Sequence, residues 1–183
     1  GIRVPTVMWG PGHIPAGTAT DEIATTMDLL STFIAMAGAA LPADRELDGR
    51  NISALMRGDE GAISPHEAFF YYRETHLDAV RSGPWKLVFP RPGRDDSPWL
   101  LSKTGAFLGE LLDAVPTLEL YHLDSDIGEQ QNVATMYPAV VERLTTLADR
   151  ARNELGDYDR IGRGVRFFED GLKWPSRQPW LRP

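Results

Sequence analysis

The side chains best suited to chemistry in this sequence are four histidines and one pair of adjacent carboxylates. The histidines are His13, His66, His76 and His122. No two of them have the spacing that places metal ligands on one helix face. Asp95 and Asp96 would suit calcium, a hard cation that takes several oxygen ligands, but the proline- and glycine-rich segment around them favours a solvated loop. The sequence contains no cysteine, which excludes disulfides, thiolate zinc sites and cysteine nucleophiles within it.

The elements that must position these residues begin with an α/β pattern. Residues 4–9 are short, apolar and rich in strand formers, which predicts a strand covered on both faces. Apolar residues then recur at helical spacing, which predicts a helix over about 28–37 with Asp28 as its N-cap and Gly38 as its stop. A short helix over 51–57 is expected to end at Gly58.

The second half of the chain has the pattern of an antiparallel sheet. Strands are predicted over 68–73, 77–82, 85–89 and 118–123, with Gly83-Pro84 as the turn of the central hairpin. A proline suits the first position of the long helix predicted over 138–155. We therefore expect an α/β segment over 1–60, a four-stranded antiparallel sheet with a long helix over 61–156, and an extended tail over 157–183.

Composition narrows the classes of partner. The chain has 183 residues, of which 42% are hydrophobic and 25% charged, so it is expected to fold. Its net charge of −7 argues against a nucleic-acid partner, because phosphate binding requires a clustered positive surface. No apolar run reaches the roughly 18 residues of a membrane-spanning helix. The cysteine count is compatible with compartments on either side of a membrane, so no compartment is assigned.

Several phrases, in a shared order, resemble the C-terminal part of the type I, arylsulfatase-like sulfatases of the alkaline phosphatase superfamily. Residues 1–5 look like the end of G-G-x-R-x-P, and residues 9–17 are similar to W-P-G-x-I-x-x-G. The other phrases are D-L-x-P-T at 28–32, A-G at 37–38, D-G-x-S-L-x-P-L from Asp48, A-V-R-x-G-x-W-K at 79–86 and L-Y-D-L-x-x-D-P-x-E-x-x-N at 120–132. Each phrase is weak alone, and their order and spacing carry the resemblance.

The resemblance implies an enzyme that hydrolyses sulfate esters with a formylglycine nucleophile and a calcium ion. In that family the formylglycine comes from Cys or Ser in a C/S-x-P-x-R motif, and that motif, the calcium ligands and the catalytic Lys and His residues all lie upstream of the matching segment. No catalytic, cofactor-binding or metal-binding residue is therefore assigned here. On this interpretation the chain is the end of a large α/β domain followed by a small C-terminal domain, and it is expected to be inactive alone.

The resemblance also implies that the small domain faces the mouth of the active site. Tyr72, Arg73 and His76 are accordingly candidates for lining the substrate entrance, where a sulfated small molecule or glycan would pass. A solvated hairpin turn is the simpler interpretation of the same residues. The aromatic tail after residue 156 is a candidate surface for oligomerisation.

Two other functions remain open from the sequence. The same superfamily contains phosphonate and phosphate ester hydrolases, whose distinguishing residues would also lie upstream. Alternatively, the chain is a non-catalytic module that binds a partner through an apolar sheet edge.

Overall fold

The computed structural model describes residues 3–73, 75–91 and 115–165. Its contacts divide the chain into two compact units, Gly1–Glu67 and Ala68–Pro183. The assignment of domains to 1–60, 61–156 and 157–183 stays a prediction. Asp95, Asp96 and the tail beyond residue 165 lie outside the described residues.

The first unit contains two helices, α1 at Asp28–Met36 and α2 at Ser53–Arg57. Gly58 ends α2 with a φ of 65°, in the left-handed region where glycine is at no disadvantage, as predicted. The predicted strand over residues 4–9 is wrong, since this segment has no regular structure and Val7 is 95% exposed. A strand requires a hydrogen-bonded neighbour, and no described segment pairs with these residues.

Helix α1 buries its polar side chains and exposes its apolar ones. Asp28 and Thr32 are each 0% exposed, whereas Leu30 is 57% and Phe33 54% exposed. Polar contacts replace an apolar core here: the Ser31 hydroxyl donates to the Gly49 carbonyl oxygen (2.8 Å). The apolar periodicity therefore predicts the helix correctly, but in the first unit the apolar face is the outer one.

The second unit is an antiparallel sheet with a helix, in agreement with the predicted α/β class and the predicted four strands. The strands are β1 (Phe69–Arg73), β2 (His76–Ser82), β3 (Trp85–Val88) and β4 (Glu119–His122), in the order β1-β2-β3-β4. Helix α3 (Pro138–Leu155) follows, and then a two-stranded ribbon of β5 (Gly156–Asp157) and β6 (Arg160–Ile161).

The sheet has apolar side chains on both faces. On one face Leu77, Leu87 and Leu120 are fully buried in a cluster that includes Leu144 of α3. The other face carries a smaller cluster of Ala79, Val88, Val115, Tyr121 and Leu123. The larger cluster holds the sheet against the long helix.

Candidate functional site

A β-bulge lies where the β1–β2 hairpin approaches its tip. Tyr71 pairs with Ala79 while Tyr72 pairs with Leu77, so Asp78 is an extra residue without a direct partner on β1. Such a bulge bends the strand and redirects side chains, and bulges are frequent next to functional sites. The bulge places the Asp78 side chain beside Arg73, which pairs with His76 at the end of the hairpin.

Tyr72, the first candidate entrance residue, contacts the ribbon that follows α3. Its hydroxyl donates a hydrogen bond to the Gly156 carbonyl oxygen at 2.8 Å. Burial, and then the negative charge of Asp157, raise the pKa of Tyr72 to about 12. The phenol is therefore neutral at physiological pH, and its hydroxyl is already used within the protein.

Arg73 and His76 meet at a single oxygen of Asp78. The Nη2 atom of Arg73 donates to Asp78 Oδ1 at 3.0 Å. The Nδ1 atom of His76 also lies 3.0 Å from that oxygen, but its alignment is not that of a hydrogen bond. The side chains of Arg73 and Asp78 are 22% and 19% exposed, whereas His76 is 7% exposed. Arg73 and Asp78 therefore reach solvent, and His76 supports them from beneath.

Tyr158 covers His76 from the ribbon side. The two rings are stacked, with centroids 5.1 Å apart and planes 15° from parallel. Tyr158 nevertheless remains 47% exposed, so a large part of its surface is in contact with solvent. An exposed aromatic ring thus lies next to the group formed by Arg73, His76 and Asp78.

Asp157 fixes the ribbon that carries Tyr158. Its Oδ1 atom accepts hydrogen bonds from the backbone amides of Leu77 (3.1 Å) and Tyr158 (2.8 Å). Its Oδ2 atom accepts from Arg152 Nε at 2.8 Å, and the Asp157 side chain is only 4% exposed. Gly156 has a φ of 98°, and a Cβ there would lie 2.7 Å from the Arg160 carbonyl oxygen, so the ribbon requires glycine at this position.

Sequence patterns indicated part of this group but not the rest. Tyr72, Arg73 and His76 are all in it, and their proposed place at a substrate entrance stays a prediction. Asp78, Asp157 and Tyr158 were missed. Alternation places residues 76 and 78 on one face of a strand, which was an available signal for Asp78. No local pattern connects Asp157 or Tyr158 to residues about 80 positions earlier.

A second polar centre lies in the first unit, around Asp28. Its carboxylate accepts hydrogen bonds from the backbone amides of Thr25 (2.6 Å) and Arg50 (2.7 Å), and lies 2.7 Å from His66 Nε2. Burial alone would raise the pKa of Asp28, but these amides and His66 outweigh it and hold the pKa below its usual value. The prediction of Asp28 as a helix N-cap is therefore wrong, because its carboxylate binds the loops on either side of the helix instead.

The phrase at 120–132 forms a structural clamp beside β4. The Asp126 carboxylate accepts from the amides of Gln130 and Gln131, and Asn132 Oδ1 accepts from the amides of Leu120 and Ala134. These hydrogen bonds fix the turn that lies between β4 and α3.

Glu129, in the same loop, has an unusual backbone conformation. Its φ is 55°, in the left-handed region that is unfavourable for a residue with a Cβ. Both carboxylate oxygens accept from Lys86 Nζ, at 2.6 and 2.8 Å. This pair connects β3 to the loop and helps to hold the strained residue in place.

The described residues contain no group of three or more histidine, cysteine, aspartate or glutamate side chains arranged to hold a metal ion. Among the other histidines, His122 contacts Ser125 (3.1 Å between Nδ1 and Oγ) and packs against the Trp85 ring in a T-shaped arrangement. Across the same described segments, the helices are too short or too polar to cross a bilayer. The candidate site at the end of the β1–β2 hairpin is therefore the ion pair of Arg73 and Asp78, with His76 and the Tyr158 ring beside it.

Comparison with known proteins assigns this chain to a family. The model of the C-terminal region of aryl-sulfatase matches residues 64–174. Human arylsulfatase D is 39% identical over 202 aligned residues, which cover 100% of this chain and 32% of that protein. The N-acetylgalactosamine-6-sulfatase of Canis lupus familiaris is 32% identical over 168 residues, which cover 85% and 31% respectively.

Solved structures agree in fold. A sulfatase from Pseudoalteromonas sp. superposes with a TM-score of 0.57 at 18% identity, over 76% of this chain and 27% of that one. The chain spans about a third or less of the length of the curated relatives that it matches. The family model matches more than half of the residues of this chain. The chain therefore belongs to the aryl-sulfatase family and contains the C-terminal region of that family's fold.

Proposed function

We propose that this chain is the C-terminal part of an enzyme that hydrolyses sulfate esters. The observation that carries the proposal is the match of residues 64–174 to the C-terminal region of aryl-sulfatase. The formylglycine and calcium that the family resemblance implies would be held by the rest of the enzyme. The chain alone is accordingly expected to be inactive.

The reversed burial of α1 supports this proposal. Leu30 and Phe33 are more than half exposed while the polar side chains of the same helix are buried, so a further apolar surface packed against them would stabilise the helix. Trp9 is 86% exposed in the same unit. The family assignment suggests that other parts of a sulfatase fold would cover these exposed apolar side chains.

A chimaera tests the proposal. The C-terminal third of human arylsulfatase D would be replaced by this chain and the product expressed with a formylglycine-generating enzyme. We expect the chimaera to hydrolyse 4-methylumbelliferyl sulfate, and this chain alone to release no product. The control is arylsulfatase D truncated at the same junction. The proposal fails if the isolated chain hydrolyses the ester, or if a folded chimaera with formylglycine is no more active than the truncated control.

The structure favours one of the three predicted entrance residues over the other two. We propose that Arg73 is the one of the three that contacts the substrate, because the Tyr72 hydroxyl is bonded to Gly156 and His76 is buried. An Arg73→Gln variant of the chimaera should then raise KM with a smaller change in kcat. An unchanged KM would exclude Arg73 from the entrance.

A further inference from the structure

We propose that Tyr158, Asp78 and Arg73 form a carbohydrate subsite that binds the sugar ring carrying, or neighbouring, the sulfate. This inference rests on the proposed sulfatase function and specifies its substrate class as a sulfated glycan rather than an aryl or steroid sulfate. Neither Asp78 nor Tyr158 is among the candidate residues predicted from the sequence.

The aromatic part of the subsite is the Tyr158 ring. One side of the ring is stacked on His76 at 5.1 Å, and the residue is still 47% exposed, so the ring can present its opposite face to a ligand. The backing by His76 and the hydrogen bond from the Tyr158 amide to Asp157 keep the ring in place. A pre-positioned aromatic ring offers apolar area at a low entropic cost.

The polar part is the pair of Asp78 and Arg73. The contacts of the Asp78 carboxylate with Arg73 and His76 both fall on Oδ1, at 3.0 Å, which leaves Oδ2 directed elsewhere. A carboxylate oxygen accepts hydrogen bonds from sugar hydroxyls, and a guanidinium donates to their oxygens. The two side chains are about one-fifth exposed, so a ligand that covers them removes the hydrogen bonds that they make to water and must supply others in their place.

That requirement selects between substrate classes. The hydroxyls of a sugar satisfy both partners, whereas the hydrocarbon of an aryl or steroid group would cover the charged pair without bonding to it, which is unfavourable. The β-bulge at Asp78 is the local feature that brings the carboxylate to the hairpin tip.

Binding to the 183-residue chain tests the subsite without any catalytic step. The probes are N-acetylgalactosamine, its 6-sulfate and 4-nitrocatechol sulfate, with affinities from ligand-observed NMR titrations. We expect both sugars to bind more tightly than the aryl sulfate. Tyr158→Ala should weaken sugar binding by about fivefold or more, as expected for one lost ring contact, and Tyr158→Phe should keep most of it. Asp78→Asn should weaken sugar binding while leaving any binding of the aryl sulfate unchanged.

Asp159→Asn is the matched control, since Asp159 lies in the same ribbon and pairs only with the exposed Arg160 in the described contacts. Circular dichroism of every variant checks the fold, and Tyr158 is exposed enough for its variants to fold even where Asp78→Asn does not. The subsite is overturned if the folded chain binds neither sugar, if Tyr158→Ala binds sugar as tightly as the parent, or if the aryl sulfate binds as tightly as the sugars. An inactive chimaera with intact sugar binding would instead contradict only the proposed sulfatase function.

Discussion

Removal of the Asp157 carboxylate should loosen the ribbon that follows α3. In Asp157→Ala the buried Leu77 amide loses its acceptor, which costs about 1–3 kcal/mol. Arg152 loses one of its partners but keeps Asp149, at 3.0 Å, and the Phe89 ring, at 4.3 Å. We therefore expect Asp157→Ala to lower the free energy of unfolding by about 3 kcal/mol, the lower end of the range for a broken buried ion pair.

Asp157→Asn should cost less. An asparagine oxygen can still accept from the amides of Leu77 and Tyr158, but its NH2 group would replace Oδ2 opposite the Arg152 Nε donor. The loss is therefore the charge and the hydrogen bond to Arg152, or about 1–2 kcal/mol. The matched control is Asp159→Ala, because the pair of Asp159 and Arg160 is half exposed and such pairs contribute about 0–1 kcal/mol.

Hydrogen exchange at the Leu77 amide is the direct measurement. A loss of about 3 kcal/mol corresponds to an exchange rate about two orders of magnitude faster in Asp157→Ala, with an intermediate rate in Asp157→Asn. A urea titration followed by circular dichroism would report whether the whole unit is affected. The reasoning is refuted if Asp157→Ala and Asp159→Ala change Leu77 exchange equally, or if neither changes it.

Three other residues give further predictions. Because the pKa of Asp28 is lowered on folding, Asp28 contributes stability that is complete above its unfolded pKa and is lost as the pH falls through the lower folded pKa. Acid unfolding of Asp28→Asn, followed by circular dichroism, should therefore lack this part of the pH dependence. The pKa of Tyr72 is raised to about 12, so its contribution to folding stability is complete below the unfolded value and is lost as the pH rises from about 10 to 12. Tyr72→Phe should also remove a phenolate absorbance step near the top of that range. Tyr72→Phe should also cost about 1 kcal/mol in a neutral-pH urea titration, through the lost bond to Gly156. Glu129→Gly should be about 1 kcal/mol more stable than Glu129→Ala, because only glycine adopts a φ of 55° without penalty; equal stabilities would show that the backbone is not strained there.

Sequence patterns located most of the elements of the second unit. The four strands lie within one residue of their predicted limits, and α3 has the predicted limits of 138 and 155. Each of these elements has a strong local signal: alternation and a Gly-Pro turn for the hairpin, a proline and an apolar stripe for the helix. The first unit was less predictable, because its apolar segments are not buried within the described residues.

The two errors in the first unit have one physical origin. Strand formation over residues 4–9 depends on a neighbouring strand, and the choice of buried face on α1 depends on what packs against it. Asp28 illustrates the second point: residue type alone suggested a helix cap, whereas its carboxylate is bonded to amides 3 positions before it and 22 positions after it.

The amino-acid sequence by itself determined the positions of the sheet and long helix, the absence of cysteine chemistry and the resemblance to the sulfatase C-terminal region, because all of these are local or ordered along the chain. Only the tertiary structure decided which side chains form the candidate subsite. Asp157 reaches Leu77 across 80 positions and Tyr72 reaches Gly156 across 84. Contacts of that kind depend on how the sheet, the helix and the ribbon pack together, and no local preference of the backbone encodes them.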